Sequence, residues 1–114
     1  MAGASVPDCS DATLSPLTAI AGAKVAGSDG KPLGTVAEVM IESGAGRIAY
    51  VALSVGGVLG VGERLFAVPW PVFVVDPIGG GLAVRFAGDS LDGRPGFDRD
   101  NWPTCADTSL GFSG

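Results

Sequence analysis

The chain predicts an all-β fold: a small, mostly antiparallel barrel of about six short strands, with one helical turn and irregular termini. Three observations lead there. Runs of β-branched and aromatic residues recur between residues 24 and 86. Turn residues separate them, drawn from 19 glycines and 8 prolines. No stretch of about ten residues before residue 88 shows a helical period.

The elements follow in order. Residues 1–17 mix small and polar residues with prolines and predict a flexible N-terminal tail. Residues 18–23 suit a turn or helical stub. Residues 24–27 form a short strand, and Ser28-Asp29-Gly30-Lys31 is hairpin punctuation, because Asp-Gly supports turns with positive φ. Residues 33–42 carry Val36, Val39 and Ile41, which favour strand. Strict alternation would put Val36, Glu38, Met40 and Glu42 on one face and Ala37, Val39 and Ile41 on the other. Residues 43–46, Ser-Gly-Ala-Gly, reverse the chain. Residues 47–55, RIAYVALSV, are the strongest strand signal. There, Ile48, Tyr50, Ala52 and Ser54 alternate with Ala49, Val51, Leu53 and Val55. Residues 63–68 form another strand. Residues 70–75 continue it or begin the next, bent by Pro69 and Pro71, which suit an edge or corner. A turn at 76–81 leads to a last strand at 82–86. Residues 90–96 suit one helical turn, stopped by Pro95 and Gly96. The domain thus covers 18–90, and residues 91–114 form a tail that docks on the barrel through Trp102 and Phe97.

Composition limits the function classes. The 114 residues suit one domain, and 46% hydrophobic against 17% charged residues supports a packed core. The net charge is −5 and no run of Lys or Arg occurs, so direct nucleic-acid binding is not expected. The chain has no histidine, which removes His-based triads, His metal ligands and the usual general base near neutral pH. No apolar run reaches the ~20 residues of a membrane helix, and no signal peptide is visible, so a cytoplasmic location is expected. An exported chain lacking its leader would read the same. Cys9 and Cys105 lie near opposite termini. They offer a disulfide between the tails or, the favoured reading, two free thiols.

Individual motifs argue against catalysis. Residues 57–62, Gly-Val-Leu-Gly-Val-Gly, lead into a strand rather than a helix, so no helix N-terminus stands ready for a pyrophosphate. Residues 27–31, GSDGK, end at Pro32, where a phosphate loop needs Ser or Thr. Glu38 and Glu42 stand roughly 13 Å apart along one strand, beyond the reach of a catalytic carboxylate pair. Asp98, Asp100 and Asp107 lack the spacing of a calcium loop. Trp70, flanked by prolines, reads as a plug at a strand corner rather than a ligand platform. Val58, Leu59 and Val61 are apolar in a turn, which marks either a contact surface or a lid over one barrel end.

Three segments together resemble the PRC-barrel family: K-V-x-x-S-D-G-K-x-x-G-x-V-x-E-V-x-I at 24–41, G-R-I-A-Y-V-A-L-S-V-G-G-V-L-G-V-G-E at 46–63, and V-P-W at 68–70. P-G-F-D-R-D-N-W-P at 95–103 is similar to the tail of stand-alone members. The resemblance implies a small antiparallel barrel with a non-enzymatic adaptor role. The family includes the cytoplasmic domain of the photosynthetic reaction-centre H subunit and the C-terminal domain of the ribosome maturation factor RimM. By resemblance to the former, Glu42 matches an acid near a proton route. These residues show no membrane helix like that of the one and no N-terminal domain like that of the other, so neither specific role is expected to transfer.

The sequence therefore predicts a protein-interaction module that forms a homodimer, with no cofactor and no metal. Its candidate interface residues are Val58, Leu59, Val61, Trp70 and Phe73. An accessory role in ribosome or RNA maturation, or in photosynthetic electron transfer, is the alternative that the resemblance implies.

Overall fold

The computed structural model describes residues 14–56, 63–75 and 81–110. In chain order they form helical turn α1 (Leu17–Ile20) and strands β1 (Lys24–Ala26), β2 (Pro32–Glu42), β3 (Arg47–Val55) and β4 (Arg64–Val68). A 3-10 turn at Trp70–Val72 then leads into β5 (Phe73–Val75), followed by β6 (Leu82–Val84) and a second 3-10 turn at Gly88–Leu91. The segment at 70–75 is thus half turn, half strand. Pro69 is the cap and Pro71 sits inside the turn, where its fixed φ suits helical geometry and its missing N–H costs nothing.

All six strands lie in one sheet, in the order β4-β3-β2-β1-β6-β5. Neighbours pair antiparallel, except that β1 and β6 run parallel. The sheet curls into a half-barrel but stays open, which corrects the closed barrel expected from sequence. The edge strands β4 and β5 are joined by the 3-10 turn instead of a ladder. Three outward backbone groups of β4 are already taken: Leu65 exchanges hydrogen bonds with Phe97, and the Ala67 carbonyl accepts from the Asp107 amide.

Three bulges set which side chains point inward. Opposite β1, the register steps from Val25–Gly34 to Ala26–Pro32, leaving Leu33 as the extra residue. Opposite β3, it steps from Val36–Leu53 to Glu38–Ala52, leaving Ala37 extra. Further along, Met40–Tyr50 is followed by Ile41–Ile48, leaving Ala49 extra. A single extra residue reverses the facing of everything beyond it. Val36 and Val39 therefore both pack in the main core, while Ala37 and Met40 pack on the opposite face. Ile48 likewise joins Val51, Leu53 and Val55, and Ala49 joins Tyr50 and Ala52. Strict alternation assigned Val39, Met40, Ile48 and Ala49 to the wrong sides.

The main core fills the concave side of the sheet. Val25, Val36, Val51, Leu53, Phe66, Val68, Val84 and Phe86 pack there with Ile20 of α1 and Leu91 of the second 3-10 turn. Leu110 enters the same core from the C-terminal segment and is 1% exposed. At the crossing of β2 and β3 the backbones approach so closely that a Cβ on Gly34 would run into the Ser54 carbonyl oxygen. Backbone cannot yield there without shifting the ladder. Gly34→Ala is expected to destabilise the fold by about 2 kcal/mol or more. A urea titration followed by circular dichroism checks this through its midpoint.

Candidate protein-interaction surface

An open sheet presents two edges, and this chain treats them differently. Along β4, the Leu65 amide donates to the Phe97 carbonyl at 3.1 Å and the Phe97 amide donates back to the Leu65 carbonyl at 2.7 Å. The Asp107 amide donates to the Ala67 carbonyl at 2.8 Å. Residues 96–107 thus form a strap along the β4 edge. Gly96 begins it at φ +64°, and a Cβ there would stand 2.6 Å from the Leu65 carbonyl oxygen. Only glycine accepts both the left-handed backbone and the close approach.

Beneath the strap lies a second apolar cluster, on the convex face of β3 and β4. Tyr50, Ala52 and Ala67 form its buried base, and Phe97, Trp102 and Ala106 cover it. Phe97 meets Tyr50 edge-on at 6.3 Å between centroids and meets Trp102 at 5.2 Å. The Tyr50 hydroxyl donates to the Pro103 carbonyl at 2.8 Å, and burial raises its pKa. The Trp102 indole N–H donates to the Arg99 carbonyl at 2.7 Å, which closes the turn that presents the Arg99 side chain.

That side chain reaches Glu63, just ahead of β4. Arg99 Nε lies 2.6 Å from Glu63 Oε1, and the Ser54 hydroxyl donates to Oε2. The Glu63 side chain is only 14% exposed, against 55% for Arg99. Hydrogen bonds from Arg99 first and Ser54 second hold the Glu63 carboxyl below the usual glutamate range. Sequence reading placed Glu63 in a strand and saw no partner for it. A sequence separation of 36 between Glu63 and Arg99 hides the pair from any local pattern.

The β5 edge has no such cover among the described residues. Val74 and Val75 are 46% and 37% exposed. The register places Val74 beside Ala83, Ala83 beside Ala26, and Ala26 beside Pro32. Direct cross-strand neighbours share a face, so these four residues form an apolar row across β5, β6, β1 and β2. An open groove of 690 Å³ lies at its β6, β1 and β2 part, lined by Ala26, Pro32, Leu33, Gly34, Leu82 and Ala83 among others.

The residues singled out from sequence fall in several places. Trp70 is half-buried and stacks on Phe73, with centroids 5.8 Å apart and planes at 21°. Phe73 is buried in the main core, so its ring holds Trp70 and is not itself presented to solvent. Glu42 ends β2 at the hairpin, exposed, with Arg47 at 3.7 Å. Val58, Leu59 and Val61 lie outside the described residues, as does Cys9; Cys105 is exposed. Among the described residues, no group of three or more His, Cys, Asp and Glu is placed to hold a metal ion. No helix among them is long and apolar enough to cross a membrane.

A family model for the PRC-barrel domain matches residues 13–91. The chain belongs to the PRC-barrel family. No curated protein matches it. PRC-barrel domains are not catalytic, and the fold is generally associated with protein–protein interaction. In this PRC-barrel the matched region contains the whole sheet, while the strap over β4 lies beyond it.

Two outcomes test the strap's attachments. Tyr50→Phe leaves the Pro103 carbonyl without its donor and is expected to cost about 0.5–1.5 kcal/mol, read from chemical denaturation. The Glu63 carboxyl has a lowered folded-state pKa, so its contribution is present above the unfolded value of about 4.3 and lost as pH falls through the folded one. Acidification through that window should therefore loosen the strap, seen as faster exchange of the Phe97 and Asp107 amides relative to β3. Glu63→Gln should flatten this pH response. An unchanged response in that variant counts against the pair as its source.

Proposed function

We propose that this PRC-barrel is a non-enzymatic protein-interaction module that self-associates as a homodimer through the convex side of β5, β6, β1 and β2. The apolar row of Val74, Ala83, Ala26 and Pro32, with the 690 Å³ groove at its Ala83, Ala26 and Pro32 end, carries this reading. Apolar contact surface on a small domain is the usual mark of a docking face. A row that meets itself around a two-fold axis forms a closed, self-complementary contact. The apolar residues Val58, Leu59 and Val61 are a further candidate for the same interface. The net charge of −5 gives nucleic acid no favourable field.

Light scattering after size-exclusion chromatography tests this. The wild type is expected at roughly twice the monomer mass. The double variant Val74→Lys, Ala83→Glu places opposite charges on cross-strand neighbours, which preserves the ladder, and should run as a folded monomer. A Val58→Asp, Leu59→Asp variant separates the loop's contribution. A wild type that is already monomeric overturns the reading.

A further inference from the structure

From the two faces of β4 we infer that its edge and the alanine-floored surface behind it form a strand-addition site for an extended peptide bearing an aromatic residue and an arginine, and that residues 96–107 occupy this site in cis as a gating strap. The inference rests on the reading of the domain as a protein-interaction module, but not on the β5 side.

The strap binds as an added peptide strand does. Main-chain hydrogen bonds to an exposed sheet edge supply registration, and side-chain pockets supply selectivity. Leu65 and Ala67 provide the edge groups. Ala52 and Ala67 leave a shallow floor beside Tyr50, and the Phe97 and Trp102 rings fill it. Glu63, 14% exposed, is the charged determinant, and Arg99 answers it at 2.6 Å. A carboxylate this covered on an acidic domain selects a cationic side chain, and the planar guanidinium suits it better than an ammonium. All of the receiving residues lie within the family match at 13–91, whereas the occupant lies outside it. The receiving residues thus lie in the matched domain, and the occupant lies in the segment that follows it.

The strap is also fit to leave. Its one ladder contact is the Leu65–Phe97 bridge. Phe97 and Trp102 remain partly exposed, and Arg99 is 55% exposed. A 250 Å³ cleft separates part of it from β4, between Leu65, Ala67, Phe97, Pro103 and Ala106. Leu91 before it and Leu110 after it stay in the main core. The strap can therefore lift as a loop between two fixed ends without opening that core.

A fluorescein-labelled peptide with the sequence of residues 96–104 provides the probe, titrated by anisotropy against the full chain. In the full-chain variant Arg99→Glu, Trp102→Ala the strap is weakened, and the peptide is expected to bind at least about tenfold tighter than to wild type. Adding Glu63→Gln should return affinity to the wild-type level. A variant that associates beyond the wild type's oligomeric state, and returns to that state with excess peptide, supports the site and makes a second copy's strap its occupant. Equal peptide affinity for the wild type and the folded variant overturns the proposal. Should the variant fail to fold, native-state hydrogen exchange on wild type decides. Phe97 and Asp107 amides must exchange through an opening well below that of Val51 and Leu53. Exchange of all four only by global unfolding makes the strap part of the core and ends the proposal. Neither measurement touches the β5 side, so loss of this site leaves the dimer reading standing, and the reverse.

Discussion

Every backbone amide and carbonyl at the border of a sheet needs a partner, and a curled sheet that does not close has two borders to satisfy. In this PRC-barrel the solution at β4 organises much of the rest. Leu65 and Ala67 take their partners from Phe97 and Asp107. Gly96 must then adopt positive φ to bring the chain within reach. With Phe97 fixed, Arg99 falls beside Glu63, Trp102 over the alanine floor, and the Pro103 carbonyl over the Tyr50 hydroxyl. Further on, Arg94 ties the segment back through Ser109 and Asp107, and Leu110 drops into the main core. One edge requirement thus accounts for the course of the C-terminal segment.

Strand positions were legible because local chemistry sets them. β-branched and aromatic runs bounded by Asp29-Gly30 and by Ser43-Gly44-Ala45-Gly46 gave β1, β2 and β3 nearly to the residue. Facing was legible only as far as the first bulge. Ala37 and Ala49 are unremarkable in sequence, yet each reverses the pattern beyond it. A bulge is chosen by the fit of two strands, not by the residue that bulges. Closure was misjudged for a similar reason: six strands suffice for a barrel, and only the three-dimensional course of the 3-10 turn after β4 keeps β4 from pairing with β5. The Glu63–Arg99 pair was invisible because neither residue sits in a motif.

The polar side chains of the described residues serve to join segments. Glu63 and Ser54 hold Arg99, Arg94 holds Ser109 and Asp107, and Asp98 orders its own turn by accepting from the Asp100 amide and the Asn101 side chain. No polar or charged residue among them is buried, and Tyr50 spends its hydroxyl on a backbone carbonyl. That distribution ties the polar groups to holding the fold together, in keeping with a family whose domains are not catalytic.

The two borders then differ in what they offer a partner. β4 spans Arg64–Val68 and hydrogen-bonds outward at Leu65 and Ala67, so it offers main-chain groups. β5 spans only Phe73–Val75, follows Pro71, and spends the Phe73 amide on the Trp70 carbonyl inside its own turn. A short edge next to a proline is the usual way to discourage strand addition. Association on that side must therefore come from side chains rather than a continued ladder. Val74 and Val75 alone are too small for a specific interface, which buries about 1,200–2,000 Å² in total. The row through Ala83, Ala26 and Pro32 extends the contact across four strands, about 15 Å at ordinary strand spacing. Its residues are small, so two copies can bring their backbones close, and the groove at Ala83, Ala26 and Pro32 gives each copy space for the other's Val74. The β5 side thus suits a second folded copy, and the β4 side suits an extended peptide.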